Sequence, residues 1–352
     1  MKELRVFSVL TACLSLAFMA LCFGLASCDD GGGGPGIAPP GGEVTGGGGG
    51  SGGGNDGGGG GSNGGSLTTT VTSEGTVLRG ANLASKLAWL DRSAESHNTY
   101  IVEVGANENI APYTLEYTGA INITVILRGD GTNRTIRLSK NGTMFTVRSQ
   151  VTFVLDNNIT LQGHSTNTDS MVHVRDGIFR MNAGSTITGN TSTAVYGSGG
   201  VTVWSSGTFE MNGGTIIGNT NHRNDFDEGG GGVLVVGGTF TMRGGTISGN
   251  TAFKGGGVFV GGTFTMSGGT ISGNTATEYG GGVYSWRTFT KRGGTITGYN
   301  SDQSNGNVVR DNFGNTIARR GHAVYISSDR RKETTAGPNV DLSNSDSGGW
   351  DD

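Results

Sequence analysis

The stretch of this 352-residue chain richest in reactive groups is H-R-N-D-F-D-E at 222–228, which crowds His222, Arg223, Asp225, Phe226, Asp227 and Glu228 into seven positions. Carboxylates spaced this closely can hold a divalent cation, or act as acid and base on a sugar. Either chemistry needs groups fixed from more than one direction. These carboxylates sit on one polar segment, without acidic partners at matching places elsewhere, so the simpler reading is a solvated loop tip. The only Asp-Asp pairs are 29–30 and 351–352, at the chain ends, and His164 and His322 each follow a glycine without forming a Gly-His-Gly. No H-E-x-x-H, G-x-S-x-G, EF-hand or P-loop occurs. The expectation is a protein with no catalytic residues, no metal and no cofactor.

What positions that segment is a repeat. T-F-T-M-S-G-G-T-I-S-G-N at 263–274 has relatives beginning at Phe179, Phe209, Phe240 and Phe289, in steps of 30, 31, 24 and 25 residues. Self-similarity at such a period marks a stacked repeat architecture. Within each copy the apolar residues alternate with period two, as in strands. Phe264, Met266 and Ile271 point one way, and Thr263, Thr265, Thr270 and Ser272 the other. Gly268-Gly269 supplies a turn between the two runs. A third run, G-G-G-V-F-V at 255–260, puts Val258 and Val260 inward.

Three short strands and three corners per 24–31-residue coil predict an all-β, right-handed parallel β-helix. Stacking then places identical residues in ladders about 4.8 Å apart. One would hold Phe179, Phe209, Phe240, Phe264 and Phe289, with Phe153 below them, and a second Ile187, Ile216, Ile247, Ile271 and Ile296. A third would hold Asn190, Asn219, Asn250, Asn274 and Asn300, hydrogen-bonded along a corner. Leu83, Leu87 and Leu90 at helical spacing predict a short helix within 81–96 that caps the open first coil. The cap is expected at 67–97, the β-helix at 98–326 and a polar cap or tail at 327–352.

The repeats differ in length mostly at one corner, giving insertions at 191–200, 220–232, 251–257, 275–282 and 301–323. Such edges are where repeat folds place binding loops. Beside this edge, the outward positions of the third strand include Leu234, Phe259, Tyr284 and Tyr325, with Trp286 two residues after Tyr284. An apolar stripe on a solvent-facing strand marks an interaction surface, or else lies under the long loops folded back over it. Both readings stand on the sequence. T-x-T pairs at 239/241, 263/265 and 288/290 also resemble the flat threonine faces of ice-binding solenoids, but only over three coils.

The N-terminus speaks of location. Lys2 and Arg5 precede an apolar run from Val6 to Leu25, the layout of a secretory signal over residues 1–27. Leu25-Ala26-Ser27-Cys28 resembles the lipobox of bacterial lipoproteins, which implies lipidation of Cys28 and a membrane as partner through N-terminal acyl chains. Cys13 and Cys22 lie inside the signal, so the mature chain would carry no disulfide. Residues 28–66 read as the lipidated cysteine and a disordered, flexible Gly-rich tether, with 22 of the 70 glycines between 31 and 66. Loss of 1–27 takes the formal charge from −4 to −5, which argues against nucleic acid.

The consensus G-G-G-V-[FY]-V-x-G-G-T-F-T-M-x-G-G-T-I-S-G-N-T-A resembles the β-helix repeats of bacterial surface lipoproteins of spirochaete type. It is also similar to the repeats of polymorphic outer-membrane proteins, whose F-x-x-N survives at Phe179–Asn182 and Phe209–Asn212. The resemblance implies a lipid-anchored protein of the outer membrane or cell surface, acting as an adhesin on a host protein or glycan. The alternatives are a polysaccharide lyase or hydrolase and a purely structural envelope protein.

Overall fold

The computed structural model describes residues 66–222 and 229–327. The chain divides into two units between Gly59 and Gly60, and every described residue belongs to the second. Cys28 and the signal and tether segments lie outside the described residues.

The second unit is a parallel β-solenoid of about eight coils. Its first sheet has ten strands and runs from Thr68–Thr72 to Thr288–Lys291. The second runs over eight strands from Glu108–Ile110 to Thr295–Ile296, and the third over eight from Tyr113–Leu115 to Val324–Ile326. Among the described strands every pairing is parallel except the first hairpin, in which Thr68–Thr72 lies antiparallel to Gly75–Arg79; an isolated antiparallel bridge joins Arg310 and Thr316. That hairpin has no signature in the repeat and is a feature the sequence pattern did not foretell.

Registers are set by side-chain identity. Phe153, Phe179, Phe209, Phe240, Phe264 and Phe289 face one another rung by rung. Their rings stack at 5.5, 5.1, 4.7, 4.6 and 5.0 Å between successive centroids. Ile187, Ile216, Ile247, Ile271 and Ile296 do the same in the second sheet. A one-residue slip would turn each of these columns outward, so burial locks the register. The outward column of the second sheet is an unbroken row of threonines from Thr135 to Thr295. β-Branched side chains suit this half-exposed pleated surface.

The methionine column ends differently. Met181, Met211, Met242 and Met266 are succeeded in register by Lys291. Its side chain is fully buried, and its Nζ has no hydrogen-bond partner. Burial pushes its pKa below the ordinary lysine value.

The asparagine ladder corrects the expectation at its last rung. Asn190, Asn219, Asn250 and Asn274 are buried, and each backbone N–H donates to the side-chain oxygen of the next asparagine at 3.0–3.2 Å. The rung after Asn274 is Asn307; Asn300 is exposed in a turn. The long last insertion moves the corner, and a buried polar column accepts only a residue that satisfies its donors. Below, Asn167 Nδ2 donates to Asn190 Oδ1 at 2.9 Å and extends the ladder downward.

The helix spans Leu83–Ser93, capped by Asn82, whose side chain accepts from Ser85 N. It buries Leu83, Lys86, Leu87 and Leu90, and Lys86 Nζ donates to Glu103 O at 2.6 Å. Burial lowers the Lys86 pKa, partly offset by Glu108 and Glu103.

A fourth sheet was not expected. Thr191–Ser192, Thr220–Asn221, Thr251–Lys254, Thr275–Tyr279 and Val308–Val309 pair in parallel directly after the asparagine corner. Segments 251–257 and 275–282, read from sequence as loops, therefore begin as strands.

Candidate functional site: the outer face of the third sheet

The outward column of the third sheet reads Thr114, Thr146, His173, Thr202, Leu234, Phe259, Tyr284 and Tyr325 from one end to the other. Its upper half is the apolar stripe that the sequence left open as exposed or covered. It is covered. Leu234, Phe259 and Tyr284 are buried and form a second hydrophobic cluster, with Val236, Tyr279 and Tyr325 packed on it. As parts of an open binding edge, those three residues are corrected to core.

The cover is the fourth sheet. Tyr279, the last residue of one of its strands, lies 4.4 Å from the ring of Tyr325 and 6.4 Å from that of Tyr284. Lys254, at the end of the preceding fourth-sheet strand, sits 5.6 Å over the Tyr284 ring and pairs with Glu278 at 3.2 Å. Arg320 caps the Tyr279 ring at 4.3 Å. Burial raises the Tyr325 pKa, with Tyr279 and Tyr284 adding to it.

The local cause is glycine. Gly255, Gly280 and Gly321 have φ of 61°, 66° and 70° and turn the chain from the fourth sheet back onto the third. A Cβ on Gly280 would lie 2.5 Å from Val283 O, so the return can be this tight only without a side chain. The tripeptides G-G-G at 255–257 and 280–282 were the signal for this covering.

The lower half is polar and closed by hydrogen bonds. His173 is buried, with Nε2 3.0 Å from Asp169 Oδ1 and Nδ1 3.4 Å from Thr143 Oγ1. Burial pushes the Asp169 carboxyl up, but His173 and the Ser170 N–H outweigh it and hold the group below the usual carboxylate range. Ser170 Oγ and Thr202 Oγ1 are 2.8 Å apart, and both accept from Ser198 N–H. Trp204 meets His173 edge-on at 6.2 Å, under the Arg175 guanidinium at 4.7 Å. The hydroxyl–imidazole–carboxylate order has the parts of a nucleophile relay. Thr143 and His173 are buried, whereas the Asp169 side chain is 31 % exposed. The sequence reading passed over this cluster. Its only linear trace is Asp169 four residues before His173.

Of the remaining candidates, Trp286 is 42 % exposed at the end of a third-sheet strand, and Tyr325 is half-buried. His222 is exposed just after Thr220–Asn221, its N–H donating to Ser192 O at 3.0 Å. Arg223, Asp225, Phe226, Asp227 and Glu228 lie outside the described residues. Among the described residues no three His, Cys, Asp or Glu side chains come together as a metal site.

Two large exposed aromatics lie in segments of the variable corner, and a third follows a third-sheet strand on the side towards the first sheet. Tyr196 is 41 % exposed in segment 191–200 and Phe313 90 % exposed in segment 301–323, while Trp286 closes the third-sheet strand between them in sequence. Comparison with family models, with curated proteins and with solved structures finds no match to this chain.

Proposed function

We propose that this chain is a binding protein of the cell envelope, held to a membrane by acyl chains on Cys28 and engaging a host protein or glycan through the variable edge of its solenoid. The observation behind this reading is the placement of Tyr196, Trp286 and Phe313. Each is large and aromatic, each is exposed, and each belongs to a segment whose length or composition breaks the repeat. Aromatic side chains of this kind carry a disproportionate share of interface energy. The solenoid beneath them is a rigid ruler, because its strands are consumed in pairing with the coils above and below.

The anchor is tested by Cys28→Ala, which should abolish incorporation of labelled fatty acid; continued labelling removes Cys28 as the attachment point. Surface display is tested by brief proteolysis of intact cells, where digestion only after permeabilisation defeats an adhesive role. The edge is tested by combining Tyr196→Ala, Trp286→Ala and Phe313→Ala and measuring attachment to host cells, matrix proteins and glycans. Undiminished attachment of a folded triple variant sinks the edge reading.

A further inference from the structure

A different corner of the solenoid carries a built cleft. It has a volume of about 310 Å³ and lies where the chain passes from the third sheet into the first. Asn122, Thr124, Gln150, Thr152, Asp176 and Ile178 line it. They come from three consecutive coils, since Thr124 pairs with Thr152 and Thr152 with Ile178. Continuing that register places Asn122, Gln150 and Asp176 in one column beside them.

Among the described residues none of the five polar side chains makes a hydrogen bond, and Asn122 and Gln150 are exposed. Asp176 has one charged neighbour, Arg148, whose Nε stands 3.7 Å from its Oδ1, beyond hydrogen-bond reach. Both of those atoms are buried without a hydrogen-bond partner. Two of the lining residues also hold left-handed backbone, Asn122 at φ 57° and Gln150 at φ 64°. For a glutamine this conformation is unfavourable, and such outliers concentrate where a side chain is aimed at a task. One rung above, Gly177 cannot carry a side chain, because its Cβ would lie 2.3 Å from Arg148 O. The cleft floor is thereby kept low.

We propose that this cleft binds a neutral saccharide of two or three rings, lying along the solenoid axis. Amide groups, hydroxyls and a carboxylate are the partners that vicinal sugar hydroxyls need, since each hydroxyl both donates and accepts. Val151 and Ile178 offer apolar surface to the C–H face of a ring. The rungs repeat at about 4.8 Å, close to the size of one pyranose, so successive rings meet successive coils. The lining residues include no lysine or arginine, and Arg148 beside Asp176 offsets its single charge, which suits a neutral ligand. An extended peptide finds no free backbone edge here, because the strands are paired on both sides. The cleft is independent of the variable edge, and either can fail without the other.

The test is titration of the full chain, held in a detergent without a sugar headgroup, with cellotriose, maltotriose, mannotriose and triacetylchitotriose. At least one should bind saturably and lose roughly tenfold or more in affinity on Asp176→Asn and on Gln150→Gly. Gly tolerates the left-handed backbone, so the Gln150 variant should melt no lower than the parent, which separates lost binding from lost fold. Thr265→Ala, on the same sheet four coils from Thr152, should bind as the parent does, and so should the Tyr196, Trp286 and Phe313 triple variant. No saturable binding by any of the four sugars, or binding indifferent to both cleft substitutions, overturns the proposal.

Discussion

His173 and Phe259 stand in the same outward column of the third sheet, three rungs apart, and both are buried. Around His173 the shielding is polar: Ser170, Ser198 and Thr202 hydrogen-bond one another, His173 Nδ1 meets Thr143, and Nε2 lies beside the Asp169 carboxylate. Around Phe259 it comes from area. The Tyr284 ring lies tilted against it at 4.9 Å, and Leu234 and Tyr279 join the same cluster. Identical backbone and register thus support two different ways of closing a sheet face. The polar way is directional, modest in net energy and sensitive to pH. The apolar way scales with buried surface and is indifferent to protonation. Where a repeat protein must keep a face dry, the choice falls on the residues following each asparagine corner. At Thr251–Lys254 and Thr275–Tyr279 these form longer strands ended by left-handed glycine.

The largest effect is expected from Phe259→Ala, which should cost about 3–5 kcal/mol in denaturant unfolding. Were the upper stripe an open surface, the loss would be near zero, and the contrast between the halves would collapse. Lys291→Met should act in the opposite direction and stabilise by about 1–3 kcal/mol, since it replaces an unpartnered buried amine by the residue of its own ladder. The sign with pH follows from its lowered pKa. The unfolded chain binds the proton more tightly, so parent stability rises as pH climbs from the folded value towards the ordinary lysine value of about 10.4. The Met variant should lack that rise; an identical slope in both proteins would mean that Lys291 is hydrated.

A smaller effect, about 1–2 kcal/mol at neutral pH, is expected for Asp169→Asn in the polar half. Its folded pKa is depressed, so its contribution is present above the unfolded value of about 3.9 and fades as pH falls through the folded one. Melting curves between pH 2 and 7 should therefore be flatter for the variant in the acid range, whereas Phe259→Ala should leave the shape of that profile unchanged. The smallest effect belongs to the combined Tyr196, Trp286 and Phe313 alanine variant, which should melt within a few degrees of the parent, each site costing under ~0.5 kcal/mol. A loss of several kcal/mol there would place these aromatics in the core, beside Phe259.

Much of this arrangement was legible in the chain. The Phe and Ile columns follow from period-two alternation, because a strand residue has only two directions to point and a 24–31-residue repeat brings like to like. The helix over the first coil was legible for the same kind of reason, three leucines on one face. The asparagine corner was legible except at its end. There the sequence offers Asn300 at the expected spacing and the structure uses Asn307, since spacing cannot tell which amide finds its carbonyls.

What the sequence determined by itself is the stack: which residues face in, how the coils register, and where the repeats break. Those are properties of local alternation repeated many times, and each coil confirms the last. What only the tertiary structure decided is which outward residues meet water. Leu234, Phe259 and Tyr284 have an outward pattern and a buried fate, because Gly255, Gly280 and Gly321 turn the fourth sheet back over them. Asn122, Gln150 and Asp176 are unremarkable in the chain and become neighbours only when three coils stack. Facing outward is a matter of one strand's geometry. Exposure depends on every segment that can reach the same surface, and alternation within a strand holds no record of that.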